Sequence, residues 1–297
     1  MRVLVTGGTG LLGSYFIQGR PAEVEIASVQ RSLSALPNDA GLDVYRADVG
    51  DKKGLEEVFD KWVPDAVVHT AGEGSVDKVE RDVIGGHRSI VEATRVVADV
   101  CGNRGVLLVY LSSNAVFSGD DAPYGDEAMR SPRNEYGRLK AIAEDLVMAS
   151  DSRNLVCRPI LSFGWPLAGQ RQNPVTWLID ELSQQRAVRV VSDVWENPIG
   201  SDSVARALWE LIVTGQRGIF NIGGATRLSR FEFAQISAEV FGLDAGLIEA
   251  VGSSAFASIA PRPRDTTLDT AKLQRVTNWR PRSVREDLVA MKEANRA

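Results

Sequence analysis

The segment NEYGRLKAIAE, residues 134–144, sets Tyr136 and Lys140 four residues apart in a stretch with helical spacing. Side chains at i and i+4 share one helix face, so a phenol and an ammonium would stand side by side. Reducing a carbonyl requires a hydride on carbon and a proton on oxygen. A tyrosine, with an ordinary pKa of about 10, gives up its proton more readily when a neighbouring cation stabilises the phenolate. Lys140 supplies that cation and has the reach to hold a ribose as well. Ser112 and Ser113, in YLSSNAVFSG, offer a hydroxyl to orient the carbonyl. The same Tyr-x-x-x-Lys spacing is common in surface helices. It acquires a chemical meaning only beside a redox cofactor.

A cofactor site is readable at the N-terminus. TGGTGLLG runs from Thr6 to Gly13 and holds Gly7, Gly10 and Gly13 at three-residue spacing between an apolar strand-like run and a helix-like one. Glycines let the chain turn tightly and approach a pyrophosphate, and the helix start at Leu11 and Leu12 presents free N–H groups and the positive dipole end. The end of the second strand distinguishes the dinucleotides. A carboxylate there bonds ribose hydroxyls, and an arginine accommodates a 2′-phosphate. Here Gln30 and Arg31 stand without an acid, which favours NADP(H); a merely solvated Arg31 would leave NAD(H) open. Asp48 and Val49 are placed to edge the adenine, and Thr70, Ala71 and Gly72 to pass under the cofactor, although each group also reads as a simple turn.

The elements that would position these residues alternate. RVLVTG, VEIASVQR, LDVYRADV, DAVVHTAG, VLLVYLSS and NLVCRPILSFG read as strands, with helical patterns between most of them. Such alternation implies βαβ units, hence an α/β fold of Rossmann type: a doubly wound parallel sheet with helices on both faces. Its strands end where open sheets place ligands. After residue 160 the pattern loosens. AVRVVSD and GIFNIGG are further strands, and SDSVARALWELIVTG and SRFEFAQISAEVFG are helices. With no linker in view, residues 1–160 are expected to form the dinucleotide-binding domain. Residues 161–297 would be mainly a smaller, interleaved substrate lobe, with about 187–224 returning to the first domain.

Bulk properties narrow the classes. The chain has 297 residues, 44% hydrophobic and 25% charged, with a net charge of -5. That is an ordinary globular composition long enough to need no staples, and its charge points away from nucleic acid or a membrane surface. Cys101 and Cys157 lie far apart without nearby Cys or His partners, so neither a disulfide framework nor a metal site is expected. His69 and His87 are the only histidines, which makes a histidine base improbable. No secretion signal or long apolar run is visible, and a cytoplasmic enzyme acting on a small molecule is the default expectation.

TGGTGLLG, HTAG, LSSNAVFSG and YGRLK together resemble an extended short-chain dehydrogenase/reductase over essentially the whole chain. Within that group the chain is most similar to the dTDP-4-dehydrorhamnose reductases and related nucleotide-sugar reductases. The segments carrying this are AVVHTAGEGSVDKVE, VFSGDDAPYGDEAMRSPRNEYGRLKAIAED and APRPRDTTLDTAKLQ. The resemblance implies a triad of Ser113, Tyr136 and Lys140, with Pro159 and Ile160 beside the nicotinamide. Asn173 matches an asparagine of the family's substrate lobe. Arg262 and Arg264 could grip a diphosphate bidentately or pair with the acidic first lobe. Trp165, Trp177 and Trp195 could stack on a base or sugar, though a core or interface role suits each. The pattern departs from the rhamnose-forming group at Ala115 and Leu161, where that group has aromatic residues, and near Val83, where many extended members have asparagine. The expected activity is NADPH-dependent reduction of a nucleotide-linked 4-keto-deoxysugar, with a homodimer as one assembly. An NAD-retaining epimerase or dehydratase, and a non-catalytic regulatory subunit like that of methionine adenosyltransferase, are the alternatives.

Overall fold

A computed structural model describes residues 1–31, 42–256 and 259–294. Its centre is a seven-stranded sheet in the order β3-β2-β1-β4-β5-β6-β11. These strands are β1 (Arg2–Thr6), β2 (Glu25–Gln30), β3 (Asp43–Arg46), β4 (Ala66–His69), β5 (Leu107–Leu111), β6 (Leu155–Pro159) and β11 (Gly218–Ile222). Every pairing among them is parallel. The order reverses at β1–β4, so a crevice opens where the phosphate turn leaves β1.

Alternation along each strand fills a core on both faces. Val3 and Val5 of β1 pack with α1 (Leu11–Gln18) and α8 (Ser201–Val213), while Leu4 faces the opposite way. That second face is covered by α2 (Lys52–Trp62), α5 (Ala93–Arg104) and α6 (Glu135–Ser150). Between α2 and α5 run α3 (Val76–Arg81) and α4 (Val83–His87), and α4 continues through a π-turn at Arg88–Glu92 into α5. The helical run therefore begins at Val83, ahead of the π-turn. Asp82 caps it by accepting from the Gly85 N–H at 2.8 Å.

The second lobe is built from short pairs. β7 (Ser162–Phe163) runs parallel to β10 (Ile199–Gly200), and β8 (Val188–Val191) runs parallel to β13 (Ile248–Val251). β9 (Trp195–Glu196) is antiparallel to β12 (Leu228–Ser229). Helices α7 (Pro174–Ser183), α9 (Arg230–Phe241) and α11 (Val284–Ala294) cover them, and α10 (Ala271–Val276) lies against β11. Of the stretch 187–224, α8 and β11 sit against or in the large sheet, whereas β8 stays with β13. Among the described residues no helix is long and apolar enough to cross a membrane.

Candidate active site

The phosphate turn is built for close approach. Gly10 caps α1, and its N–H reaches the Gly7 carbonyl at 2.9 Å. A Cβ on Gly13 would overlap that same carbonyl oxygen, so only glycine lets the helix start so near the turn. Thr70, at the end of β4, braces the loop by donating to the Thr6 and Gly7 carbonyls at 2.7 and 3.1 Å. A cavity of about 1100 Å³ opens over it, lined by Gly7, Gly10, Arg31, Asp48, Val49 and the Thr70–Ala71–Gly72 corner, among others. It has the volume a dinucleotide needs. The exposed Arg31 and the absence of an acid at the β2 end fit a 2′-phosphate. Leu12 instead packs on the core, and Leu11 contributes backbone, its carbonyl accepting from the Ser14 hydroxyl at 2.9 Å.

The reacting end is assembled by β5 and α6. Ser113 follows β5 in extended conformation and caps a 3-10 turn, its Oγ accepting from the Ala115 N–H at 3.2 Å. Asn134 caps α6 by accepting from the Gly137 N–H at 2.9 Å. A Cβ on Gly137 would overlap the Ala115 carbonyl oxygen, so this glycine allows α6 to seat on the turn that carries Ser113. Tyr136 comes within reach of the Ser113 hydroxyl, which itself donates to Asn114 Oδ1 at 3.2 Å. Burial raises the Tyr136 pKa; the Ser113 hydroxyl and the Arg171 charge oppose that, and Glu73 adds to it.

Lys140 lies on the same helix face but not against the phenol oxygen. Its Nζ donates to the Leu111 carbonyl at 2.7 Å and stands 4.7 Å from the Tyr110 ring centre and 6.0 Å from that of Tyr136. Burial lowers its pKa to about 8, against the pull of Glu144. Beneath it, His69 is fully buried between Thr6 Oγ1 at 2.6 Å and Thr94 Oγ1 at 3.1 Å. Burial and then the Lys140 charge depress the His69 pKa to about 3, so the ring is neutral and serves the core.

Other sequence candidates are placed differently. The Ser112 hydroxyl is buried and donates to Glu144 at 2.5 Å. Pro159 ends β6, and Ile160 is buried in the core cluster beside it. Asn173 caps α7, with its Nδ2 bonded to the Gly164 carbonyl at 2.6 Å, and borders a second cavity of about 500 Å³. Arg262 pairs with Asp77 at 2.9 Å, the inter-lobe alternative for that residue. Arg264 offers its carbonyl to the Trp195 N–H at 2.7 Å, and its charge reaches Asp193. Trp165 is tied into the second lobe through the Met291 carbonyl at 2.7 Å, Trp195 lies under Arg227, and Trp177 borders the second cavity.

Sequence reasoning overlooked Arg171, Arg189 and Arg230, which line that second cavity with Leu161, Trp177 and Phe233. It also passed over Glu144 and Arg158. One signal was present: an arginine in the otherwise apolar NLVCRPILSF strand has to find a buried partner. Among the described residues no cluster of His, Cys, Asp or Glu is arranged to hold a metal.

A Rossmann sheet with a glycine turn at its switch point, and a serine, tyrosine and lysine at adjoining strand and helix ends, define an NAD(P)-dependent oxidoreductase of the extended short-chain dehydrogenase/reductase type. The chain belongs to the RmlD substrate binding domain family, whose model matches residues 1–296. It is 26% identical to a probable low-salt glycan biosynthesis reductase of Haloferax volcanii, over 99% of this chain and 98% of that one. It is 27% identical to a dTDP-4-keto-6-deoxy-D-glucose reductase of Streptomyces niveus, over 90% and 88% of the two chains. Its fold superimposes on the Bacillus anthracis dTDP-4-dehydrorhamnose reductase in complex with NADP, with a TM-score of 0.85 at 22% identity and 99% coverage of each chain.

Proposed function

We propose that this protein reduces the ketone of a nucleotide-linked 4-keto-deoxysugar with NADPH. The observation that carries the reading is the approach of Ser113 to Tyr136, whose phenol also feels Glu73 of the phosphate-turn cleft, in a chain whose relatives include a dTDP-4-keto-6-deoxy-D-glucose reductase. NADPH, when bound, supplies the hydride. Gly7, Gly10 and Gly13 would hold its pyrophosphate and Arg31 its 2′-phosphate.

The chain's own residues do the rest. Ser113 bonds the ketone oxygen and fixes its direction. Tyr136 donates the proton to that oxygen as charge develops on it. Lys140, anchored on the Leu111 carbonyl 6.0 Å from the Tyr136 ring centre, supplies the cation that would bias the phenol and hold the ribose. On the substrate side, the α7 N-terminus and the three arginines of the second cavity suit the diphosphate, and the apolar wall with Trp177 suits the base. The positions of Ala115 and Leu161 leave the sugar pocket without two rings, which favours a keto-sugar other than dTDP-4-dehydrorhamnose. The same reading carries a cytoplasmic enzyme and a homodimer as its assembly, which sedimentation checks.

The test is NADPH oxidation over a panel of 4-keto-sugar nucleotides by wild type and Tyr136→Phe. A loss of about 10²–10⁴-fold is expected in the variant. Equal turnover by both proteins defeats the assignment of the proton donor. Cofactor binding with no turnover of any panel member by wild type favours the regulatory alternative.

A further inference from the structure

A buried ionic network lies directly behind the catalytic face of α6. Glu144 is one turn beyond Lys140 and two beyond Tyr136, so the three share that face. It is 1% exposed, and its hydrogen-bond partners among the described residues are all donors. Arg158, next to last in β6 and also 1% exposed, bonds both of its oxygens, Nε to Oε1 at 2.8 Å and Nη2 to Oε2 at 2.6 Å. Arg130 reaches Oε2 at 3.2 Å, and the Ser112 hydroxyl donates to Oε1 at 2.5 Å. Ser112 is the chain neighbour of Ser113. One carboxylate therefore links β6, the end of β5 and the catalytic helix, and it does so without touching the cleft.

We propose that Glu144 is a positioning residue for the reduction: it fixes the β5 end against α6 so that Ser113 and Tyr136 address one carbonyl oxygen, and it holds Lys140 in its charged form. The proposal rests on the reductase reading above. The ion pair with Arg158 alone would not call for this arrangement, because a buried pair seldom stabilises more than an apolar pair of equal volume. What favours a functional reason is the placement of the carboxylate. Among the described residues, the Leu111 carbonyl, the Tyr110 and Tyr136 rings and the neutral His69 face Lys140; Glu144, one helical turn on, brings a negative charge that it shares with Arg158 and Arg130. Burial works against the ammonium, and Glu144 opposes it.

The ionisation of Lys140 can be followed by NMR in protein carrying ¹³Cε-lysine, its signal identified by loss in Lys140→Met. The midpoint, about 8 in wild type, should fall by roughly a unit in Glu144→Gln. Because that change strands a buried guanidinium, Glu144→Gln/Arg158→Leu is measured beside it. In both variants the alkaline limb of kcat/KM for the keto-sugar nucleotide should move down with the lysine. A midpoint in the folded double variant no lower than that of Arg158→Leu, which loses the same positive charge and keeps Glu144, overturns the proposal. So does a lowered midpoint with an unmoved limb, which would leave Glu144 a purely structural anchor. Tyr136→Phe is run in the same assay. If it keeps wild-type turnover, the reductase reading fails while the NMR titration still reports on Glu144, so the two failures are told apart.

Discussion

A buried ammonium at Lys140 works against the fold while it serves the site, and the two effects have opposite dependence on pH. Its pKa is about 8 in the folded chain and about 10.4 once unfolded. Below pH 8 both states are protonated, and the fold carries the full penalty of a desolvated charge, about 3 kcal/mol. Between pH 8 and about 10.4 the unfolded chain binds more protons, so this group's contribution to stability improves as pH rises. Activity should run the other way, falling above pH 8 as the cation is lost. Lys140→Met is therefore expected to have a thermal midpoint at pH 7 no lower than wild type, with NADPH affinity and turnover reduced. A variant that melts well below wild type would show that the Leu111 bond outweighs the buried charge. No limb near pH 6.5 is expected from His69, which stays neutral between its two threonines. At this scale the sequence was readable where one segment carries the whole meaning, as in Tyr136 with Lys140 or the glycines of TGGTGLLG. It was silent where meaning needs a partner from far along the chain. Nothing local pairs Arg262 with Asp77, 185 residues away, or turns Ser112 toward Glu144 and Ser113 toward Tyr136.

Elements transmit that geometry through a few contacts that admit no extra atom. The seat of α6 on the Ser113 turn is one: the helix approaches so closely at Gly137 that a methyl group would displace the Ala115 carbonyl. Gly137→Ala would normally favour a helix by up to about 1 kcal/mol. Here it must push α6 off the turn, at a cost of about 1–3 kcal/mol, and separate Tyr136 from Ser113. The expected outcome is a lower urea midpoint together with loss of turnover, while NADPH binding at the distant glycine turn persists. A stabilised, fully active Gly137→Ala would show that the turn yields. The helix itself was legible from its spacing, as were the six leading strands. The π-turn at Arg88–Glu92 and the capped start at Asp82 were not, because one extra backbone residue and a Gly85–Gly86 pair leave no distinctive pattern in the chain. Gly86 sits where a side chain would press on Val79 and Leu139, a packing reason invisible until α3, α4 and α6 are together.

The molecule as a whole closes through its second lobe, which touches the first on both sides of the cleft. On one side Gln170 donates to the Thr9 carbonyl at 2.5 Å, over the phosphate turn. On the other, residues 260–267 cross to the catalytic side. Asn134, the cap of α6, donates to the Pro261 carbonyl at 3.0 Å, and Asn114, beside Ser113, donates to Thr266 Oγ1 at 2.7 Å. Asp77 accepts from the Ala260 N–H at 3.2 Å and from Arg262 at 2.9 Å. This strap ties substrate-lobe closure to the very residues that frame the triad. Asp77→Ala removes two of its bonds at once. The Asp77–Arg262 pair is about a third exposed, so its loss should cost less than about 1 kcal/mol of stability. If the strap acts as a latch, KM for the sugar nucleotide rises about fivefold, the equivalent of ~1 kcal/mol, with NADPH affinity unchanged. If instead Asp77 merely stores Arg262 until a diphosphate arrives, freeing the arginine lowers KM, and the latch is wrong. Salt separates the two further, because a phosphate contact made by a released guanidinium weakens as ionic strength screens it, whereas the hydrogen bonds at Asn134 and Asn114 do not depend on net charge.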